Sequence, residues 1–315
     1  MYRIGIDIGG TKTAIGIVDE QGQLCFQQKY NSDDALRLNG SVVLSLDAVI
    51  RSFCVSQSLS LSQVEGLAIG IPGIIDRASQ RICSCPNLKE LDGLRLGPEL
   101  SEVLGAPVWV ENDVNLIALG EHCRFHQEGL DDLACVFVGT GIGCGLIVNG
   151  DLYVGADGSA GEFGHTVIQP DGRPCSCGSR GCLEMYCSGK ALALQANELY
   201  HRTVALDDLD YGEAARLIKS ANAGDAAANQ ILLQSFGYLG LGIANLVNIM
   251  NPRVVVLGGG IVNGWPESIA VVKKAVTQYA RETARQNLMI VPSTLGEQAG
   301  ILGAAEYVSR ARKRL

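Results

Sequence analysis

Arg3-Ile4-Gly5-Ile6-Asp7-Ile8-Gly9-Gly10-Thr11-Lys12 begins as a strand-like apolar run and breaks at a glycine turn. A second strand follows through Val18, Asp19 to Gln23 reads as a hairpin turn, and Leu24 to Tyr30 as a third strand. The pattern returns in mid-chain. Ala134 to Val138 reads as a strand, Gly139-Thr140-Gly141-Ile142-Gly143-Cys144-Gly145 as a turn, and Leu146 to Val148 as the return strand. Asn149-Gly150 closes it with a two-residue hairpin signal. A unit at residues 3–27 with a counterpart at 134–154 predicts a duplicated α/β fold.

The stretches between these units alternate. Leu46, Val49, Ile50 and Phe53 recur at helical spacing, and Val64 to Ile71 is a strand closed by Pro72-Gly73. Pro107 to Val110 is a strand that stops at Glu111-Asn112-Asp113, where a helix begins. Later, Ile231, Leu232, Phe236, Leu239 and Ile243 form one helical stripe and Ile269, Val272, Val276 and Tyr279 another. Val254 to Leu257 is wholly apolar and ends at Gly258-Gly259-Gly260, as a buried parallel strand would.

The chain has 315 residues, of which 47% are hydrophobic and 18% charged, so it can build substantial cores in two domains. A net charge of −8 argues against non-specific nucleic-acid binding, which depends on Lys and Arg neutralising phosphates. Arg310, Arg312, Lys313 and Arg314 suit a helix C-terminus and need no nucleic acid. No export signal opens the chain and no apolar run reads as a membrane span, so a cytoplasmic protein with no membrane partner is expected. Eleven cysteines, an odd number, argue against a disulfide framework.

Two glycine turns that join strands are natural anion sites, because converging backbone N–H groups meet phosphate oxygens with no Cβ in the way. Thr11 and Thr140 add hydroxyls, Lys12 adds a charge, and Asp7 stands where it could hold the water shell of a metal ion. Neither turn fits the Walker or Rossmann spacing. His165, Cys175, Cys177 and Cys182 lie within one short loop and match the closed four-ligand set of a structural zinc. Cys83-Ser84-Cys85 lacks such company and reads as structural. Asp113 is either part of a helix cap or a general base for a substrate hydroxyl. Glu162 and Glu184 flank the metal loop as acceptors for vicinal sugar hydroxyls, and a metal-bound His165 keeps its second ring N–H to donate.

These motifs, in this order, resemble the ROK family (repressors, open reading frames, kinases). Asp7 to Lys12, Glu111-Asn112-Asp113, Gly139 to Gly143, Gly161-Glu162-Phe163-Gly164-His165 and Cys175 to Glu184 carry the likeness. The resemblance implies a duplicated actin/hexokinase-like (ribonuclease H-like) α/β fold, two-lobed with a cleft between the lobes. The expected lobes are 1–112 with about 301–315, and 113–300 carrying the metal loop at 165–182. It implies ATP-dependent phosphorylation of a hexose, with Mg2+ and one structural Zn2+. Asp7, Gly9, Gly10, Thr11, Lys12, Gly139, Thr140, Gly141 and Gly143 would meet ATP phosphates, and Gly258, Gly259 and Gly260 the adenosine. Asp113 would be the base acting on the C6 hydroxyl, and Gly73, Asn87, Asn112, Glu162, His165 and Glu184 the sugar contacts. Glucose is the first candidate; fructose, mannose, allose, N-acetylglucosamine, N-acetylmannosamine and β-glucosides are alternatives, and a homodimer or homotetramer is implied. The rivals are a sugar-responsive repressor, for which no helix-turn-helix is expected ahead of the first glycine motif, a non-catalytic sugar-binding protein, and an ATPase with water as acceptor.

Overall fold

The structure is a computed structural model that describes residues 1–200 and 212–313; Arg314 of the basic cluster lies outside the described residues. The chain opens on β1 (Tyr2–Ile8), β2 (Lys12–Val18) and β3 (Leu24–Asn31), an antiparallel meander. Helices α1 (Ser32–Arg37) and α2 (Val42–Ser56) lead to β4 (Val64–Ile71). The short pair β5 (Ile74–Asp76) and β6 (Arg81–Ser84), then α3 (Leu96–Leu104), precede β7 (Val108–Asn112) and α4 (Asp113–His126). The first sheet has the order β3-β2-β1-β4-β7, with β1, β4 and β7 parallel. The α2 stripe of Leu46, Val49, Ile50 and Phe53 is buried in one core with Ile4, Ile6 and Ile8.

The second half repeats the plan. It contains β8 (Leu133–Val138), β9 (Ile142–Val148) and β10 (Asp151–Tyr153), then α5 (Glu184–Cys187), α6 (Gly189–Leu199), α7 (Gly212–Asn222) and α8 (Ala226–Met250). There follow β11 (Val254–Gly258), α9 (Gly260–Gly264), α10 (Ser268–Tyr279), α11 (Glu282–Arg285), β12 (Met289–Pro292) and α12 (Ala299–Lys313). The order β10-β9-β8-β11-β12 matches that of the first sheet, with β8, β11 and β12 parallel. The expected duplication is visible strand for strand. β11 is buried along its whole length, as its apolar sequence requires.

Three readings change. The second glycine turn ends at Gly141, because Gly143 and Gly145 lie within β9. A Cβ at Gly145 would stand 2.6 Å from Ala118 Cβ, so that glycine serves close packing on α4. Tyr279, the last residue of the α10 stripe, is exposed, since α10 ends there. Helix α8 is long and apolar enough to cross a membrane by length and composition, contrary to the sequence reading. More than half of its apolar window is nevertheless buried, with Leu232, Phe236, Leu239 and Ile243 in the protein interior.

The described residues form two compact units, 1–129 with 145–160 and 297–313, and 130–144 with 161–296. The first unit thus keeps α4, which the expected boundary at 112 assigns to the other lobe. The reason is packing against α12. A Cβ on Gly303 would overlap the Leu116 carbonyl, and one on Gly120 would overlap that of Ala299, so these glycines let the two helices close on each other.

Candidate active site

Parallel register brings the first unit's site residues to the carboxyl ends of its central strands. Asp7 on β1 pairs with Gly70 on β4, and Gly70 with Glu111 on β7, so Asp7 near the end of β1 and Asp113 just after β7 stand at the carboxyl edge on either side of β4. That edge of an open parallel sheet is where α/β proteins place ligands. The turn after β1 closes with the Gly9 N–H donating to the Lys12 carbonyl at 2.9 Å, leaving Gly10, Thr11 and Lys12 exposed. Asn87 is exposed beside it, its Cβ 3.6 Å from where a Cβ on Gly10 would stand.

Ser32 holds this turn in place. Its N–H donates to the Thr11 carbonyl at 3.1 Å and its hydroxyl to the Gly9 carbonyl at 2.7 Å, while Ser32 itself is buried. Sequence reasoning passed over it. The one local sign is the polar run Asn31-Ser32-Asp33-Asp34, which starts α1 with Asn31 as its cap.

Asn112 is the cap of α4. Its Oδ1 accepts from the N–H groups of Val114 at 3.0 Å and Asn115 at 3.2 Å, and its Nδ2 donates to the Gly73 carbonyl at 3.3 Å. Gly73 is buried and would set a Cβ 2.7 Å from the Ser84 carbonyl oxygen. Because Asn112 does the capping, Asp113 spends only one oxygen locally, on the Val114 N–H at 2.9 Å. Beneath them Glu111 is buried, ion-paired with Arg77 and accepting from the Asn115 side chain and the Asn112 N–H, each at 3.0 Å. Glu111, quoted only as part of a motif, thereby fixes the segment that carries Asp113.

The two carboxylates have unusual acidity. Burial pushes Asp113 up to about 6. Asp7 rises to about 7, through burial first and then through the negative charges of Asp113 and Glu297. Glu297 is paired with Lys29, whose hydrogen bond and charge hold its carboxyl below the usual range.

The second unit carries the other motifs. Gly258 pairs with Phe137 at the ends of β11 and β8, which brings Gly258-Gly259-Gly260 next to the turn at Gly139. Gly259 has φ +95° and a Cβ there would meet the backbone of Val138. The turn closes with the Gly139 N–H donating to the Gly141 carbonyl at 3.0 Å, and leaves Gly139 and Thr140 exposed. The N–H groups of Gly189 and Lys190, opening α6, donate to the carbonyls of Gly139 and Thr140 at 2.8 and 3.1 Å. Glu184 accepts from the Ile142 N–H at 2.9 Å.

The metal loop folds back on itself through the isolated bridges Val167–Cys182 and Pro174–Arg180. Gly178 and Gly181 take φ of +88° and +77°, the conformations that turn the chain round. One ligand atom from each of His165, Cys175, Cys177 and Cys182 lies within 4.8 Å of the other three. Cys175 Sγ stands 3.6 Å from His165 Nδ1, and Cys177 Sγ 3.6 Å from Cys182 Sγ. Three soft sulfurs and one imidazole at these separations fit a tetrahedral thiophilic ion. The other ring nitrogen of His165, Nε2, is 3.9 Å from the carboxylate of the exposed Glu162.

Comparison with known proteins gives the family. The ROK family profile matches residues 3–311. The chain belongs to the ROK family. It is 33% identical to a glucokinase of Thermotoga maritima, over 97% of this chain and 96% of that protein. A ROK family glucokinase from Streptomyces griseus, solved with glucose and AMPPNP, superposes with a TM-score of 0.79 at 29% identity, covering 98% of this chain and 100% of that one. A xylose repressor of Bacillus subtilis is 31% identical over 98% of this chain but 77% of its own length. The protein is thus a glucokinase-like ROK sugar kinase with the family's actin-like two-domain fold.

Proposed function

We propose that this kinase transfers the terminal phosphoryl group of ATP to the C6 hydroxyl of a hexose, with Asp113 as the base. The observation that carries the reading is the pair Asp7 and Asp113 at one carboxyl edge of the sheet, on either side of β4 and close enough for the charge of Asp113 to act on Asp7. Phosphoryl transfer needs positioning and charge balance more than a strong base, and a carboxyl near pH 6 is ionised at neutrality yet readily accepts a proton. Asp113 would take the proton as the hydroxyl attacks. Asp7 would hold the hydrated Mg2+ that accompanies ATP, a cation that offsets the repulsion between the two carboxylates.

The exposed N–H groups of the two glycine turns would cradle the phosphates, with Thr11, Lys12 and Thr140 adding contacts and Gly258 to Gly260 meeting the adenosine. Asn87, Asn112, Gly73, Glu162, His165 and Glu184 would read the sugar. The Asn112 side chain is engaged by the α4 cap and Gly73, so its part is to hold the sugar-facing backbone in place. His165, Cys175, Cys177 and Cys182 would hold one structural Zn2+, leaving His165 Nε2 for the sugar. The flanking acids favour glucose, whose equatorial hydroxyls they could bridge, over mannose, allose, fructose or the N-acetylhexosamines. A cytoplasmic homodimer or homotetramer completes the proposal, in keeping with eleven free cysteines.

A coupled ADP-release assay across that sugar panel tests the reading. Sugar-dependent ADP release with glucose preferred is expected; release without sugar would make the protein an ATPase, and none with any sugar a binding protein. The similarity to a xylose repressor favours one alternative, a sugar-responsive regulator. A gel-shift against genomic fragments tests it, and no specific complex is expected.

A further inference from the structure

One cavity of the second unit contains none of the proposed site residues. It lies between α10 and the edge strand β12, has a volume of about 440 Å3, and is open to solvent. That size falls in the range of small-molecule sites, about 300–1,000 Å3. Its walls divide by chemistry. Val276, Leu288, Met289 and Ile290 give an apolar surface, while Lys273, Thr277 and Arg285 bring cations and a hydroxyl.

Those cations are uncommitted. Among the described residues neither the Lys273 nor the Arg285 side chain makes an ion pair or hydrogen bond. The Arg285 Nε is buried and has no partner among them. A buried donor without an acceptor is costly, roughly 1–3 kcal/mol, and such groups in a native fold usually mark a ligand or water position. No Asp or Glu lines the cavity, so no carboxylate in its wall repels an anion or neutralises the two cations. The guanidinium fork is suited to an oxyanion, and the Lys273 ammonium in the same lining adds charge without imposing geometry.

We propose that this cavity binds a small organic anion, its oxyanion head held by Arg285 and Lys273 and its apolar body lying on Val276, Leu288, Met289 and Ile290. Thr277 already donates its hydroxyl to the Lys273 carbonyl at 2.9 Å, so it meets the head as an acceptor at most and contributes little. The site is independent of the sugar reading, because no residue in it has a part in the transfer.

Phenyl phosphate, which joins an oxyanion head to an apolar body, is the probe; inorganic phosphate and phenol carry one half each. Calorimetric titration of the full chain should show phenyl phosphate binding more tightly than either half. Lys273→Gln with Arg285→Gln should weaken it by about tenfold or more, as expected for losing charge-assisted contacts, while sugar-dependent ADP release stays at the parent rate. Arg285→Lys, which keeps the charge and loses the fork, should fall between them. Undiminished binding by the double variant would locate the probe in the nucleotide site and overturn the proposal, as would no binding at millimolar concentration. Inorganic phosphate binding as tightly as phenyl phosphate would overturn the assignment of the apolar wall.

Discussion

The Ile142 main-chain N–H donates to Oε2 of Glu184 at 2.9 Å, tying the helix that follows the metal loop to the second glycine turn. Gly141 is the residue that permits it, since a Cβ there would overlap the same carboxylate. Glu184 therefore supports the second glycine turn, proposed to meet phosphate, as well as making its proposed sugar contact. Glu184→Ala should raise the KM for ATP by about tenfold, as expected on losing a charge-assisted bond, and the KM for sugar as well. Gly141→Ala should do the same by displacing the carboxylate. Steady-state kinetics with each substrate varied checks both; an unchanged KM for ATP in Glu184→Ala would show that the turn keeps its shape alone.

Asp113→Asn should retain sugar binding, measured by calorimetry, and lower kcat by ~100-fold or more, the usual contribution of a positioned base. Near-parent turnover would remove Asp113 from the chemistry.

The raised pKa of Asp113 has two consequences of opposite sign. As the proposed base, Asp113 would act only when ionised, so kcat/KM should fall tenfold per pH unit below about 6, and this limb should vanish in Asp113→Asn. Stability runs the other way. Between 3.8 and about 6 the unfolded chain ionises Asp113 before the folded one does, so this residue's contribution to stability declines as pH rises through that window. Asp113→Asn should consequently melt higher than the parent at pH 7, and a lower Tm for the variant would contradict the burial argument.

Cys177→Ala should abolish metal retention, read by elemental analysis of the purified protein, and loosen the loop that carries His165. Sugar affinity should then fall more than ATP affinity. Equal losses in both would mean that the ion supports the whole unit.

Gly300 lies in the first turn of α12; a Cβ there would stand 2.9 Å from Asp7 Oδ2. Gly300→Ala should push that carboxylate aside and raise the Mg2+ concentration needed for half-maximal rate. A magnesium titration at saturating ATP reads it, and an unchanged midpoint would free Asp7 from the proposed role.

Much of this was legible because the signals are local. The strand–turn–strand units at 3–27 and 134–154 announce themselves through apolar runs broken by glycine, and both sheets follow from them. The metal cluster was readable for the same reason: its four residues lie in one loop, so spacing stands in for distance. Ser32 and Glu111 were not singled out. Their importance lies in whom they bond after the chain has folded, Gly9 and Thr11 for one and Arg77 with Asn115 for the other. The end of the second glycine turn was misjudged because Gly143 and Gly145 look like turn residues, yet Gly145 is small for the sake of α4.

The sequence by itself determined the element types, the duplication and the residue kinds available for phosphate, sugar and metal, since these follow from periodicity and side-chain chemistry. Tertiary structure alone decided the acidity of Asp7 and Asp113, the seating of Glu184 on Ile142 and the cavity beside Arg285. Those depend on burial and on neighbours far along the chain, and desolvation and charge coupling have no value until parallel strands bring distant residues to one edge.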